Sequence, residues 1–315
     1  MPERRPATCS ESASPKPGTL RDVAGYQTYQ ARADSRRAEI VAATTSPFTI
    51  EVRFLGGLTA RQRAAFTSAA DRWARVIVGD LPSVLVDGEV IDDVLILAQG
   101  TAIDGPGRIL GQAGATHLRP ASAGAAAFLT AKGIMSFDAA DLAKMNAAGT
   151  LNDVITHEMG HVLGIGTLWE QKDLLQRAGS SNPTFSGPGA MEEYRVLRGG
   201  GRRRRVPVEN TGGPGTRDAH WRETVFRNEL MSGFISEPGN PLSRLTVASL
   251  GDIGYQVDLD AGEPYELPKL FALAEAGALV DYTAAIDVGV VLPVNAITLP
   301  AGSLQARQER RRRGG

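Results

Sequence analysis

THEMGHVLGIGTLW, residues 156–169, decides how this chain is read. It sets His157 and His161 four residues apart, with Glu158 beside the first. On an α-helix, positions i and i+4 share one face, so both imidazoles aim at one point. Zinc accepts imidazole nitrogen, and catalytic zinc sites use three protein ligands plus a water. The neighbouring glutamate stands where a general base is needed, which is the logic of the HExxH pattern. The bland alternative is a buried amphipathic helix with incidental histidines. Only four histidines occur in 315 residues, so chance seldom spells the whole pattern. Val154, Ile155, Val162 and Leu163 give the helix an apolar side to bury.

The motif helix carries its own boundaries. Thr150 with Asp153 three residues on resembles a capping box, and Gly164 offers a left-handed stop. Upstream, Phe48, Ile50, Val52 and Phe54 alternate with Thr49, Glu51 and Arg53, which predicts a half-buried strand. Thr59 then caps a helix near 59–78 with Ala65, Phe66, Ala69, Ala70, Trp73, Val76 and Ile77 on one face. Residues 94–97, 108–113 and 133–137 read as further strands, and a short helix runs through Leu142 and Met145. Downstream, residues 170–219 are loop-rich, and the arginine run at 202–205 reads as a solvated loop. Residues 241–250 read as an amphipathic helix ended by Gly251 or Gly254. Residues 1–46 are rich in Ser, Pro, Ala and charge and read as flexible or weakly helical.

Composition excludes several classes. The chain is 42% hydrophobic and 22% charged with net charge -1, ordinary for a globular protein. Nothing global points to nucleic acid or an anionic membrane. No apolar run approaches the ~18 residues of a membrane span. The N-terminal stretch MPERRPATCSESASPKPG lacks the apolar core of a secretory signal, so the expected compartment stays open between cytoplasmic residence, secretion by a non-standard route, and ordinary secretion if the true N-terminus lies further upstream. Cys9 is the single cysteine, so no intramolecular disulfide forms. Nothing in the sequence sets an oligomeric state.

HExxH supplies two ligands, so a third must come from elsewhere. The compact pattern HExxHxxGxxH asks for a histidine where this chain has Thr167. The candidates are Glu192 or Glu193, His117 in GATHLRP, and His220 in RDAHWRETVFRNELMSGF, residues 217–234.

HEMGHVLGIG, a long insertion, then HW followed by NELMSGF resembles the leishmanolysin family of metzincin peptidases. That resemblance selects His220, because the family keeps the glycine and delays the third histidine by an inserted segment. It also implies that Met231 forms the Met-turn beneath the metal. SRLTVASLGDIGYQVD, residues 243–258, extends the similarity. The implied fold is α+β and zincin-like. A twisted mixed sheet carries a backing helix and the active-site helix, and a smaller irregular C-terminal subdomain follows. The expected organisation is a pro-like segment 1–46, a peptidase domain 47–262 divided near 166/167, and a tail 263–315 of unknown role.

The implied chemistry is zinc-dependent hydrolysis of peptide bonds. His157, His161 and His220 hold one Zn2+, Glu158 is the base, and protein or peptide is the substrate. Substrate is expected to pair with residues 133–137 as an edge strand. Family members also use a pro-segment cysteine to cap the zinc, but ATCSES does not match that motif, so Cys9 reads as incidental. Trp169 and Trp221 read as core or subsite walls, and Tyr255 falls where some metzincins place a transition-state tyrosine. The rival readings are a catalytically silent zinc-containing adhesion or protein-binding module, a site completed by Glu192 or Glu193, and a hydrolase of small amides.

Overall fold

The computed structural model describes residues 18–269 and 290–305, apart from 24, 106, 108, 214, 236 and 293. In chain order the first half holds β1 (Thr19–Val23), β2 (Tyr26–Arg32), α1 (Ser35–Ala42), β3 (Thr49–Gly56) and α2 (Ala60–Val76). Then come β4 (Val84–Val86), β5 (Glu89–Ile91), β6 (Val94–Thr101), β7 (Ile109–Leu118), β8 (Thr130–Asp138), α3 (Ala139–Ala148) and α4 (Leu151–Leu163). The second half holds β9 (Leu175–Gln176), β10 (Thr184–Phe185), α5 (Pro188–Leu197), β11 (Val206–Pro207), α6 (Glu223–Phe226) and α7 (Arg244–Ile253). Two short strands follow, β12 (Val290–Leu292) and β13 (Ile297–Thr298).

The expected α+β architecture is the one observed. The main sheet runs β1-β2-β3-β6-β8-β7-β12, with β13 also on β7. β3, β6 and β8 are parallel, β2 runs antiparallel to β1 and β3, and β7 runs antiparallel to β8 but parallel to β12 and β13. The backing helix α2 starts at a true capping box. Thr59 accepts from the Gln62 amide at 3.3 Å, and the Gln62 side chain accepts from the Thr59 amide at 2.8 Å. Its buried stripe of Ala65, Phe66, Ala69, Ala70 and Trp73 packs on β2, β3 and α4. The Trp73 indole donates to the Thr156 carbonyl at 2.9 Å, fixing α4 against α2 at the start of the motif.

Several expectations change here. Residues 19–42 are ordered rather than flexible. β2 pairs with β3 along its length, Tyr29 and Ala31 are buried, and Tyr29 donates to Asp71 at 2.6 Å. The polar composition of this stretch hid a buried face carried by Tyr29, Ala31 and Ala33. Thr150 makes no side-chain capping bond, its backbone being helical rather than extended (φ -88°, ψ -6°), and the buried Asp153 instead accepts from the Gly239 amide at 2.6 Å. His117 lies in strand β7, not a loop. Residues 133–137 belong to β8, which is flanked by β6 on one side and β7 on the other, so they are not an edge. The loop-rich stretch contains helix α5 and a small sheet of β9, β10 and β11. Cys9 and the final arginine run lie outside the described residues.

Candidate metal centre

Helix α4 is buried over its last ten residues, and it ends at Gly164, whose φ is 115°. That left-handed turn folds the Ile165 carbonyl back to within 2.8 Å of His161 Nδ1. Two residues on, Gly166 brings its backbone against Ala219. A Cβ at Gly166 would lie 2.0 Å from the Ala219 carbonyl oxygen, so only glycine permits the approach. His220 is the next residue, and the long insertion thereby returns to the motif helix. Thr167 does not ligate; its hydroxyl donates to the His161 carbonyl at 2.8 Å and closes the end of the helix.

The three histidines His157, His161 and His220 meet as one buried group. Their Nε2 atoms form a nearly equilateral triangle with edges of 2.9, 2.9 and 3.0 Å. Each Nδ1 faces a backbone carbonyl: Leu230 at 2.7 Å for His157, Ile165 at 2.8 Å for His161, and Thr216 at 2.8 Å for His220. A nitrogen facing a carbonyl must carry the proton, so in the neutral rings all three Nε2 atoms present lone pairs. Burial keeps the rings neutral, pushing His157 down to about 3 and His161 to about 4, and His220 well below its ordinary value. Three converging lone pairs without a shared proton repel one another. A cation on that triangle resolves the conflict, and the carbonyl partners are the outer shell that orients metal-ligating imidazoles.

Glu158 is also buried, and its Oε2 has no hydrogen-bond partner among the described residues. Burial pushes its carboxyl up to about 8, and a bound cation would act in the opposite direction. Met231 is fully buried beneath α4. A Cβ at Gly160, between the two motif histidines, would lie 2.8 Å from Met231 Sδ.

Sequence reasoning did not single out Glu229, which organises the segment around Met231. It is fully buried and accepts from the Met231 amide at 2.7 Å, the Ser243 amide at 3.2 Å, the Ser243 hydroxyl at 2.6 Å and the Thr246 hydroxyl at 2.5 Å. Thr246 in turn accepts from the Trp221 indole at 2.8 Å, beside His220. Its only sequence signal was an acidic residue inside the otherwise apolar run ELM. Glu209 does similar work for the third-ligand loop, accepting from the Asn210, Thr211 and Glu223 amides at 2.9, 2.8 and 2.7 Å.

The other candidate ligands are engaged elsewhere. Glu192 pairs with Arg195 and Arg203, and Glu193 with Arg244. His117 contacts the Thr116 hydroxyl at 3.0 Å and is not part of the histidine group. Trp169 and Trp221 pack together with Phe185 as core. Tyr255 is buried and donates to the Leu163 carbonyl at 2.9 Å, a packing role. Residues 202–205 are exposed, as expected of a solvated loop, though Arg203 reaches Glu192.

A buried three-histidine group on a mixed α+β scaffold defines a candidate metallohydrolase. The leishmanolysin peptidase family model matches residues 126–266, which span α4, His220, the Met231 segment and α7. Over that segment the chain is therefore similar to the leishmanolysin metallopeptidases. No curated protein matches it. No helix among the described residues is long and apolar enough to cross a membrane.

Proposed function

We propose that the chain is a zinc-dependent endopeptidase of the metzincin type. The observation that carries this reading is the convergence of three Nε2 lone pairs whose Nδ1 protons are already committed to carbonyls. His157, His161 and His220 would hold one Zn2+. When bound, zinc would supply a Lewis acid that activates water and polarises the scissile carbonyl. Glu158 would take the water's proton on its unpartnered carboxylate oxygen and hand it to the leaving amine. Met231 would support the imidazoles from below as the Met-turn.

Intact Glu158 disfavours the silent binding module, because a structural zinc site needs no base. The test is zinc content together with cleavage of casein for wild type and Glu158→Ala. One zinc per chain in both proteins, with cleavage lost by about 10²–10⁴-fold in the variant, is the expected result. Absence of zinc from the wild type after reconstitution would overturn the reading.

A further inference from the structure

Adding an extended peptide to a sheet requires an unpaired strand edge. The main sheet ends at β1 on one side and at β7 on the other, before the C-terminal strands are added. β1 is separated from β8 by β2, β3 and β6. The helix that carries His157 and His161 packs on β7 and β8. The outer side of β7 is thus the edge beside the candidate metal centre.

That edge is already taken by the chain's own C-terminal segment. Val290, Val291 and Leu292 pair with Ile109, Gly111 and Gln112, and Ile297 and Thr298 pair with His117 and Leu118, all parallel to β7. Between the two short strands, Val294 lies over Gly114, where a Cβ would come within 3.0 Å of it. Gly114 borders Gly133 of β8, and a Cβ at Gly133 would strike Val162, the neighbour of His161 in sequence. The covered stretch therefore reaches the level of the histidine helix.

The two ends of the segment are held unequally. Leu299 and Leu304 pack into a small core with Val84, Val86, Ile91, Leu95 and Ala131. The Leu299 amide donates to Leu118 at 2.9 Å, and the Gln305 amide to Ser83 at 2.9 Å. By contrast β12 is three residues long, parallel, and broken by a register shift between Val290 and Val291. Short irregular parallel pairing is the weaker kind and opens first.

We propose that β12 and β13, paired with β7 through residues 290–292 and 297–298, are resident strands that compete with extended peptide for the outer edge of β7, anchored by residues 299–305. This rests on the peptidase reading above. A tethered competitor acts at an effective concentration of about millimolar, so it filters out weak peptides and yields to tight ones.

The test uses the full zinc-loaded chain in a Glu158→Ala background, with Val290→Pro and Val291→Pro added to block ladder pairing. The probe is a fluorescein-labelled synthetic peptide with the sequence of residues 290–300, read by anisotropy. It should bind the double-proline protein about tenfold or more tightly than the chain with its segment intact, and β7 amides should exchange faster. Equal affinity, or unchanged protection of β7, would overturn the proposal. Val294→Asp leaves the backbone donors untouched and should act in the same direction if the prolines impair folding. With Glu158 present, the prolines should lower KM for casein and leave kcat unchanged. Peptide binding is read without catalysis, so zinc-loaded protein that cleaves nothing would sink the peptidase reading while leaving this competition measured.

Discussion

His157 Nδ1 lies 2.7 Å from the carbonyl oxygen of Leu230, the residue immediately before Met231. The first candidate ligand is thus oriented by the segment beneath the site, and that segment hangs on Glu229. A carboxylate there meets four donors. Glutamine keeps the shape but turns an NH2 group toward a donor. Glu229→Gln should therefore lower zinc affinity by about 10–100-fold, the usual cost of disturbing a metal's outer shell. Chelator competition measures it, with Co(II) absorption reporting the ligand geometry. Unchanged affinity in a folded variant would remove Glu229 from the site's support.

The third ligand can be tested by contrast. His220→Ala removes one corner of the triangle and should abolish stoichiometric zinc at micromolar metal. Glu192→Ala and Glu193→Ala break only the ion pairs with Arg195, Arg203 and Arg244. They should keep full zinc and leave stability nearly unchanged, because exposed ion pairs are screened by water and salt. Elemental analysis of the three variants decides between the histidine site and a glutamate-completed one.

Gly160 marks how tightly the motif helix sits on what lies below. A methyl group there would meet Met231 Sδ and the Trp73 ring, each at 2.8 Å. Gly160→Ala should cost about 1–3 kcal/mol through overpacking, although alanine is the better helix former. Urea unfolding would show it, and a stabilised variant would mean that the two side chains move aside freely.

The motif helix, the backing helix and the strand at 48–54 were legible because each has a clean period and the HExxH spacing is itself helical. His157 and His161 were legible for the same reason, whereas His220 was reached only through the family resemblance carried by HW and NELMSGF. What stayed hidden depends on contacts distant in sequence. Strand β2 reads as polar because the face it buries holds only Tyr29 and Ala31, and the buried residue of its other face is the polar Thr28. Asp153 looked like a cap because its real partners, Gly239 and Asn240, are more than eighty residues away. Residues 133–137 looked like an edge because strand order follows from topology, which local pattern does not encode. Glu229 and Glu209 were invisible because a buried carboxylate spells like an exposed one.

Asp93 shows the electrostatic side of that last point. It is fully buried and accepts from the Thr49 amide and hydroxyl and the Leu81 amide, each at 2.8 Å. Burial, with Asp92 adding to it, nevertheless pushes its carboxyl up to about 7. An unfolded aspartate titrates near ~3.9. Between about pH 4 and pH 7 the folded chain therefore keeps a proton that the unfolded chain has released. Stability from this residue is present below that window and falls as pH rises through it. The slope is on the order of 1.4 kcal/mol per pH unit. Asp93→Asn cannot titrate, so it should lack the slope. The stability of wild type minus that of the variant should be larger at pH 4.5 than at pH 7.5, measured by urea midpoints under matched salt. A difference that grows with pH instead would mean that the buried Arg119 guanidinium, which bonds the Asp93 carbonyl at 2.6 Å, holds the carboxylate ionised in the fold.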